Sequence, residues 1–511
     1  MTGADQSTST VTRPVAKVTL WLTAILACLV PLFAVKFPPL VDVLGHLGRY
    51  AIQTDLAARP ELQPYFSYEW QLVGNLGVDL IVELLAPITG LEQAVTLSVF
   101  LTQLAAAAGI LCISRAVHGR VTPFAIFALP LIYAFPFQHG FLNFCLSMAL
   151  AMLAFSAWIG LRRSRPGWLP MLFLGLAGLL IWLCHAFGWA FLGILCGTAS
   201  LHERWSEGRR GVSLVVGVLA DCAVLLLALV PMLLWRSAAD SGGTGEWSIM
   251  LKITWAISVL RSGWAAIDML SAGILVLVIG FGSLWKPIRV HGGLALAALA
   301  CFAFFLILPG RLFGSFYADM RLFPYALIVA LLALAPTGLA QRWHKAMMIA
   351  ALGFLVLRMA VNTADFIDKG HDVQANLSAL EAIPRGARVV NFAVEDCGFQ
   401  WRLNPLRHLG GFAIARASAF TNDQWEISGA NALTIHYPAG GEFVRDPSQS
   451  VTLETCPDAG VPSLGEALGR LPAEAFTHVW IHGTDPAAVT LPFPAREVWR
   501  GEDGVVFAIR N

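Results

Sequence analysis

The sequence predicts a polytopic bundle of about eleven transmembrane α-helices, followed by a soluble α/β domain. Composition, the pattern of apolar runs and the distribution of charge support this fold class. The 511 residues are 57% hydrophobic and 13% charged, whereas soluble domains carry about 25% charged residues. This composition excludes a wholly soluble enzyme, and it excludes a disordered chain, which needs low hydrophobicity and high charge. Long apolar runs between short basic loops are typical of a helical bundle and not of a β-barrel.

The few charged residues are unevenly distributed along the chain. From residue 363 to the end there are 11 Lys and Arg against 18 Asp and Glu, a formal net charge of −7. The preceding residues hold 23 basic against 15 acidic side chains, a net charge of +8. We therefore predict a transmembrane domain over 18–361 and a soluble domain over 362–511, which is long enough for one domain. No basic run indicates nucleic-acid binding.

The N-terminal residues 1–17 are polar and predict a disordered cytoplasmic segment. Two basic residues then precede an apolar run over 18–35, a pattern that resembles a signal peptide. No small-residue cleavage site follows, because the sequence continues as Lys36-Phe-Pro-Pro. We interpret the run as an uncleaved first helix, which leads into a long outer loop over 36–91.

Ten further apolar runs follow, separated by basic loops. They occupy 92–114, 121–137, 140–161, 169–184, 186–200, 212–235, 271–285, 292–309, 321–340 and 346–361. Because basic loops stay in the cytoplasm, the chain must turn near His139 and near His185 on the far side of the membrane. The C-terminal domain is then predicted outside. Several runs are short for a hydrocarbon core of about 30 Å.

The C-terminal domain has an α/β pattern. Segments rich in β-branched and aromatic residues predict strands at 387–394, 477–482 and 504–509. The domain contains no recognisable nucleophile triad and no phosphate-binding glycine motif. Its predicted role is therefore acceptor recognition, or that of a lid over an outer site.

The cysteines indicate a redox expectation and no metal motif. Seven of the nine lie in or near apolar segments, where Cys is a small hydrophobic residue. Cys397 and Cys456 alone lie in the soluble part, and an oxidising outer compartment would permit a disulfide between them. In a reducing compartment they would be two unpaired thiols. No cysteine spacing is typical of metal ligands.

Asp42 and His46 follow the first helix and are four residues apart. This spacing places both on one face of a helix that Pro38 and Pro39 would start. Asp79 and Glu83 have the same spacing, and they would otherwise be the solvated face of an interfacial helix.

More polar residues are predicted on the outer side, at a similar depth. They are His139 and Asn143 at one turn, His185 at another, and Arg311, Asp319 and Arg321 in a third loop. An ionisable residue beside a transmembrane segment is costly and is therefore a functional candidate. The structural alternatives are hydrogen-bonded interfacial histidines, a solvated or helix-capping Asp42, an Arg321 that snorkels to lipid headgroups, and an Asp319–Arg321 pair.

This combination of residues fits transfer from a lipid-linked phosphate. A carboxylate can deprotonate an acceptor hydroxyl. Arginines can bind a phosphate or diphosphate leaving group through paired hydrogen bonds. Histidines can assist phosphate binding, proton transfer or metal ligation.

The sequence resembles the GT-C superfamily of multispanning glycosyltransferases that use polyprenyl-phosphate-linked sugars. Five segments carry the resemblance: Pro38-Pro-Leu-Val-Asp42-Val-Leu-Gly-His46-Leu, Asn75-Leu-Gly-Val-Asp79-Leu, Gly140-Phe-Leu-Asn143-Phe, Cys184-His185-Ala-Phe-Gly and Ala318-Asp319-Met-Arg321-Leu. The order of parts also matches, from a first helix and long acidic outer loop to a periplasmic C-terminal domain. The segment that begins Leu406-Arg-His408 is also similar to one in these relatives.

The resemblance implies roles for individual residues. Asp42 matches the position of the usual catalytic base, with inversion at the anomeric carbon, and His46 would assist it. Arg311 and Arg321 would hold the phosphate, and Asp319, His139, Asn143, His185 and Asp79 would line the substrate site. Many members carry a second acidic residue beside the base, whereas Val43 follows Asp42 here. This departure weakens the expectation of metal dependence, so a divalent metal is only a candidate cofactor and none is certain.

The predicted function is transfer of a hexosyl or pentosyl group to an extracytoplasmic glycan, lipid or protein, in the bacterial inner membrane. Two alternatives remain open. A transporter or flippase of a lipid-linked saccharide would have internal repeats and polar residues at mid-membrane, and we see no clear repeat. A non-catalytic membrane assembly protein would have a degenerate site.

Overall fold

The computed structural model describes residues 12–164, 167–238, 245, 247–312, 316–427, 431–457 and 460–510, with side chains except at 12–20 and 235–238. Residues 1–11 of the predicted N-terminal segment therefore lie outside the described residues. Helices dominate up to residue 377 and a mixed sheet dominates after it.

The membrane part consists of helices joined by short loops. The helices are α1 Thr12–Phe33, α2 Val41–Asp55, α3 Gly77–Thr89, α4 Leu91–His118, α5 Pro123–Ala128, α6 Phe135–His139, α7 Leu142–Ser164, α8 Leu169–Cys184, α9 Ala186–Ser206, α10 Gly211–Cys222, α11 Leu229–Ala238, α12 Ile249–Ile257, α13 Ala265–Leu284, α14 Gly292–Ile307, α15 Phe323–Leu332 and α16 Gln341–Leu377. Strand β1, Phe66–Tyr68, lies in the long loop, and β2, Ile288–Val290, pairs with β3, Leu334–Pro336, in antiparallel fashion.

The apolar helices make the chain a multi-pass membrane protein. Among the residues that the structure describes, five helical stretches are long and apolar enough to cross a membrane: Leu91–His118, Leu142–Ser164, Gly211–Leu234, Ala265–Leu284 and Gln341–Ala382. Shorter apolar helices, among them Leu169–Cys184 and Phe323–Leu332, accompany them. A perpendicular helix needs about 20 residues to cross the hydrocarbon core, so the number of about eleven spans stays a prediction. Helices are interrupted at both predicted turns, because α6 ends at His139 and α9 begins directly after His185. The side of the membrane on which these turns lie stays a prediction.

The C-terminal part is built on a mixed sheet. Its elements are β4 Arg388–Glu395, α17 Gly410–Ala417, β5 Phe420–Thr421, β6 Leu433–Ile435, β7 Ser450–Thr452, α18 Leu464–Arg470, β8 His478–His482, β9 Ala495–Arg500 and β10 Gly504–Ile509. The strand order is β5-β4-β8-β10-β9, with β7 also paired to β4. Strand β4 runs parallel to its three neighbours, and β10 runs antiparallel to β8 and β9. The three strands predicted from sequence, β4, β8 and β10, are thus confirmed.

The segment between α1 and α4 and the C-terminal part are joined through several contacts. Strand β1 pairs with β6 in antiparallel fashion, so the loop adds a strand to the C-terminal part. Helix α16 runs without a break through the predicted boundary between residues 361 and 362. Two ion pairs, Arg385 with Glu61 and Arg416 with Glu92, cross the same junction.

Helix α2 packs directly on helix α17. Their backbones approach so closely that a Cβ atom added at Gly411 would lie 2.0 Å from the carbonyl oxygen of Leu44. The neighbouring contact involves Gln424, whose side chain donates a hydrogen bond of 3.0 Å to the carbonyl oxygen of Gly45. Only glycine lacks the side chain that would separate these backbones. Helix α2, which carries Asp42, is thus held between the membrane helices and the C-terminal part.

Candidate active site

Asp42 lies in the first turn of α2, at the junction of the two parts. A carboxylate is favoured there by the partial positive charge of a helix N-terminus. The Nδ1 atom of His139 lies 3.2 Å from Oδ1 of Asp42. The turn that presents His139 needs glycine next, because Gly140 has a φ of 99° and a Cβ there would lie 3.0 Å from the amide nitrogen of Asp42.

His408 of the C-terminal part approaches the same carboxylate oxygen. Its Nε2 atom lies 3.9 Å from Oδ1 of Asp42 and 4.0 Å from Oδ1 of Asp446. Its Nδ1 atom lies 3.6 Å from Oδ1 of the fully buried Asp423. Gln449 completes the group, because its amide donates a 2.6 Å hydrogen bond to Asp446 and lies 3.4 Å from Nδ1 of His408.

The surroundings keep Asp42 ionised. Burial by itself raises the pKa of a carboxyl group, but the charge and hydrogen-bonding capacity of His139, with further charge from His408, hold the pKa of Asp42 well below its usual range. Burial, together with the charge of Arg49, lowers the pKa of His46 to about 4. Asp42 is therefore a carboxylate at neutral pH, and His46 is a neutral ring.

His46 is one helical turn beyond Asp42, as the spacing predicts. Its ring packs against Trp425, with ring centroids 4.9 Å apart, and Trp425 also contacts the His408 ring at 4.5 Å. Trp425 thus links α2 to the C-terminal part.

An aromatic group surrounds His139. The ring lies 4.8 Å from Phe141, 5.3 Å from Tyr317 and 5.6 Å from Phe135, between centroids. Tyr317 has a φ of 57°, which is uncommon for a residue with a side chain. The Asp42 side of the site therefore has an apolar aromatic wall, typical of surfaces that contact sugar rings or lipid.

Arg321 lies behind the same wall. Its guanidinium stands 4.3 Å from the centroid of Phe141, the ring that also contacts His139. Its Nη1 atom lies 3.3 Å from Nε2 of His185, and Nη2 donates to the carbonyl oxygen of Phe316 at 3.2 Å. The structure thus brings four of the predicted residues, Asp42, His139, His185 and Arg321, into one continuous group of contacts.

Arg311 reaches this group from the other side of Phe316. Its guanidinium lies 4.8 Å above the Phe316 ring, whereas Arg321 bonds the carbonyl of the same residue. The two arginines predicted to hold phosphate are therefore neighbours through one phenylalanine. Both lie in the loop around 310–320, of which 313–315 fall outside the described residues.

Asp79 and Asn143 lie in a neighbouring, buried network. Asp79 forms an ion pair with Arg49 and accepts a 3.0 Å hydrogen bond from the amide of Asn143. That amide group also bonds the backbone at Val78 and Asn75. These contacts join α2, α3 and α7. Asp79 is therefore 1% exposed, and the solvated-face alternative does not hold for it.

Asp319 pairs with a residue outside the set predicted from sequence. Nζ of Lys252, on α12, lies 2.8 Å from Oδ2 of Asp319, and both side chains are buried. The same ammonium group donates to the carbonyl of Leu308 at 2.5 Å. The predicted alternative of an Asp319–Arg321 pair is replaced by this contact, in which Lys252 neutralises the carboxylate.

Sequence reasoning missed several charged residues that connect the two parts. Asp268 on α13 accepts hydrogen bonds from Arg358 on α16 and from the indole of Trp401, both at 2.8 Å. Arg261 donates to the backbone carbonyls of Gln400 and Trp401. The signal was available for Asp268 and Arg358, since each is a lone charge at the edge of or inside an apolar run.

Two further predictions from the sequence concern the cysteine pair and a bound metal ion. Cys397 and Cys456 are joined by a disulfide, which connects the segment after β4 to the segment after β7. Within the part of the chain that the structure describes, no group of three His, Cys, Asp or Glu side chains is placed to hold a metal ion.

No protein-family model and no curated protein matches the sequence. Among solved structures, the chain is similar to ArnT from Cupriavidus metallidurans bound to undecaprenyl phosphate, with 15% identity, a TM-score of 0.49 and coverage of 96% of this chain and 97% of that one. The apo state of ArnT gives 14% identity, a TM-score of 0.48 and coverage of 97% and 98%. The mycobacterial arabinofuranosyltransferase AftD gives 14% identity and a TM-score of 0.45, over 96% of this chain and 41% of AftD.

Proposed function

We propose that this protein is a membrane glycosyltransferase that moves a hexosyl or pentosyl group from a polyprenyl-phosphate-linked donor to an extracytoplasmic acceptor. The observation that carries the proposal is the position of Asp42. Its ionised carboxylate lies 3.2 Å from His139, beside an aromatic wall that has Arg321 behind it. The proposed base, Asp42, and the proposed phosphate-binding cation, Arg321, are thus separated by an aromatic surface that suits a sugar ring.

In the proposed reaction, Asp42 accepts the proton of an acceptor hydroxyl as that oxygen attacks the anomeric carbon. The bond from that carbon to the phosphate oxygen breaks, and the polyprenyl phosphate leaves with the electron pair. Attack opposite the leaving group inverts the configuration. Positioned proton transfer of this kind contributes about 10²–10⁴-fold to a rate.

Arg321 and Arg311 are proposed to stabilise the departing phosphate. Arg321 is buried, which strengthens its attraction to an anion because little water screens it. Guanidinium groups also match the geometry of phosphate oxygens. His185, at 3.3 Å from Arg321, would orient the guanidinium.

The proposal includes a location. We place the C-terminal part on the outer side of a bacterial inner membrane, because the basic loops would then stay in the cytoplasm. Labelling of a cysteine introduced at the exposed Arg496 tests this in intact cells. A membrane-impermeant maleimide should label it without lysis, and labelling that requires lysis would contradict the location.

The decisive experiment for the activity uses the purified protein in liposomes. The donors are undecaprenyl-phosphate-linked hexoses and pentoses with a radiolabelled sugar, and a membrane extract supplies acceptors. Undecaprenyl phosphate is chosen because ArnT has been solved with it. Asp42→Asn should lower sugar release at least about 100-fold. Asp55→Asn is the matched control, since Asp55 is the exposed carboxylate at the other end of α2. Equal activity of Asp42→Asn and the unaltered protein would refute the assignment.

A further inference from the structure

Two side chains of the C-terminal part, Asp423 and His408, form a row of ionisable groups with Asp42. Nδ1 of His408 lies 3.6 Å from Oδ1 of Asp423, and Nε2 of His408 lies 3.9 Å from Oδ1 of Asp42. The side chain of His408 is 3% exposed and that of Asp423 is 0% exposed. Water therefore contributes little to the interaction between His408 and Asp423, whereas the side chain of Asp42 is 15% exposed.

Burial raises the pKa of Asp423, and the hydrogen-bonding capacity and charge of His408 oppose that rise, so a positive partner stabilises the carboxylate. Neither of its carboxylate oxygens has a hydrogen-bond partner that meets normal geometry in the described part of the chain. A buried carboxylate without compensation costs several kcal/mol. The imidazole of His408 lies within ion-pair distance of this carboxylate. The arrangement therefore favours the protonated, positively charged form of His408.

We infer that His408, held by Asp423, is a positioning residue that keeps Asp42 ionised and oriented, so that the C-terminal part completes the candidate active site. This inference rests on the proposed function, because it assigns His408 a role in the action of Asp42 as a base. Gly411, three residues after His408, has no side chain, and this allows α17 to approach Leu44 and Gly48 of α2 closely enough for the contact.

The titration behaviour of His408 agrees with this role. Burial works against a charged ring, but the hydrogen-bonding capacity and charge of Asp423, with the charges of Asp446 and Asp42, raise the pKa of His408 above its ordinary value. Its other polar neighbours among the described residues include Gln449, which carries no charge, and His46, whose pKa the charge of His408 helps to lower. His408 thus faces carboxylates from three separate segments.

Asp42 has other titratable or charged neighbours that would remain after His408 is changed. They are His139 at the end of α6, His46 on α2, and Arg321, Arg407 and the Tyr317 hydroxyl, which interact with it electrostatically. Loss of His408 removes one positive charge from the surroundings of Asp42. The pKa of Asp42 should therefore rise, and the acidic limb of the rate–pH profile should move to higher pH.

The test compares the rate–pH profiles of sugar transfer of four variants with that of the unaltered protein. His408→Gln should lower the rate about tenfold or more and move the acidic limb up by about one pH unit. Asp423→Asn should change both quantities in the same direction. His408→Lys should restore the limb toward its original position, because it keeps the charge. His478→Gln is the matched control, since His478 is also buried but lies on β8.

Thermal unfolding and gel filtration of each variant show whether it folds. An unshifted acidic limb in both folded His408→Gln and folded Asp423→Asn overturns the inference, even when the rate falls. If His408→Gln does not fold, Asp423→Asn and His408→Lys decide. The failure of each proposal can be distinguished from that of the other. Full activity of Asp42→Asn would refute the proposed role of Asp42. An inactive Asp42→Asn together with an unshifted rate–pH profile of His408→Gln would refute only the role of His408.

Discussion

Trp401 donates its indole N–H to Oδ2 of Asp268 over 2.8 Å, and this bond fastens the C-terminal part to the membrane helix α13. The other oxygen of Asp268 accepts from Arg358 at 2.8 Å. One buried carboxylate thus holds a membrane helix, a second membrane helix and the segment that contains the disulfide.

Asp268→Asn should destabilise the protein strongly. The substitution leaves the guanidinium of Arg358 buried without a counter-charge, which costs about 3–5 kcal/mol. Trp401→Phe removes one hydrogen bond to a charged group and should cost about 1.5–3 kcal/mol. Thermal unfolding in detergent measures both. A midpoint for Asp268→Asn equal to that of Trp401→Phe would show that the Arg358 pair contributes little.

Gly411→Ala should separate α2 from α17. The new Cβ atom would lie 2.0 Å from the carbonyl oxygen of Leu44, so one backbone must move. We expect both lower stability and lower sugar transfer, because Asp42 is on the displaced helix. Gly465→Ala is the control: it lies in helix α18 and its added Cβ would meet no atom within 4 Å. Equal effects of the two substitutions would contradict the close packing as the cause.

Asp79→Asn should affect stability and leave the rate–pH profile unchanged in shape. The substitution removes the counter-charge of the buried Arg49, at a cost of about 3–5 kcal/mol. It leaves His139 and His408 beside Asp42. The measurement is the pH dependence of transfer by the folded fraction at reduced temperature. A shifted acidic limb in Asp79→Asn would place Asp79 in the proton-transfer chemistry instead.

Protonation of His46 should destabilise the protein in acid. The pKa of His46 is about 4 in the folded protein and about 6.5 in an unfolded chain. The unfolded state binds the proton first, so stability falls as pH drops from about 6.5 toward 4. His46→Phe keeps a ring against Trp425 and should flatten the pH dependence in that window. His436→Phe, at a more exposed site, is the control, and equal slopes in His46→Phe and the unaltered protein would exclude His46 as the cause.

Local patterns in the sequence predicted much of the fold. Strands β4, β8 and β10 were predictable from β-branched and aromatic runs, and the turns at His139 and His185 from basic loops that must share one side. Helix α2 was predictable because a proline pair precedes it and its polar residues recur at i, i+4. The grouping of Asp42 with His139 followed from the topology.

The contacts between distant segments could not be predicted in this way. Nothing near Asp42 indicates that His408 would reach it, because the approach depends on two helices that pack through glycines. Lys252 is a lone cation in an apolar stretch, and its partner Asp319 is determined by how α12 packs. The number of spans was also uncertain for a physical reason: helices shorter than about 20 residues do not reveal by length alone whether they cross.

The pairing of β1 with β6 has a consequence for the order in which the protein is made. The long loop that contains β1 leaves the ribosome early, whereas its partner strand β6 lies in the last quarter of the chain. During most of synthesis, strand β1 therefore has no strand to pair with. The face of α2 that packs on α17 is likewise uncovered. Asp42 is enclosed only when the final domain arrives, so a truncated chain would insert its helices and still lack a finished site.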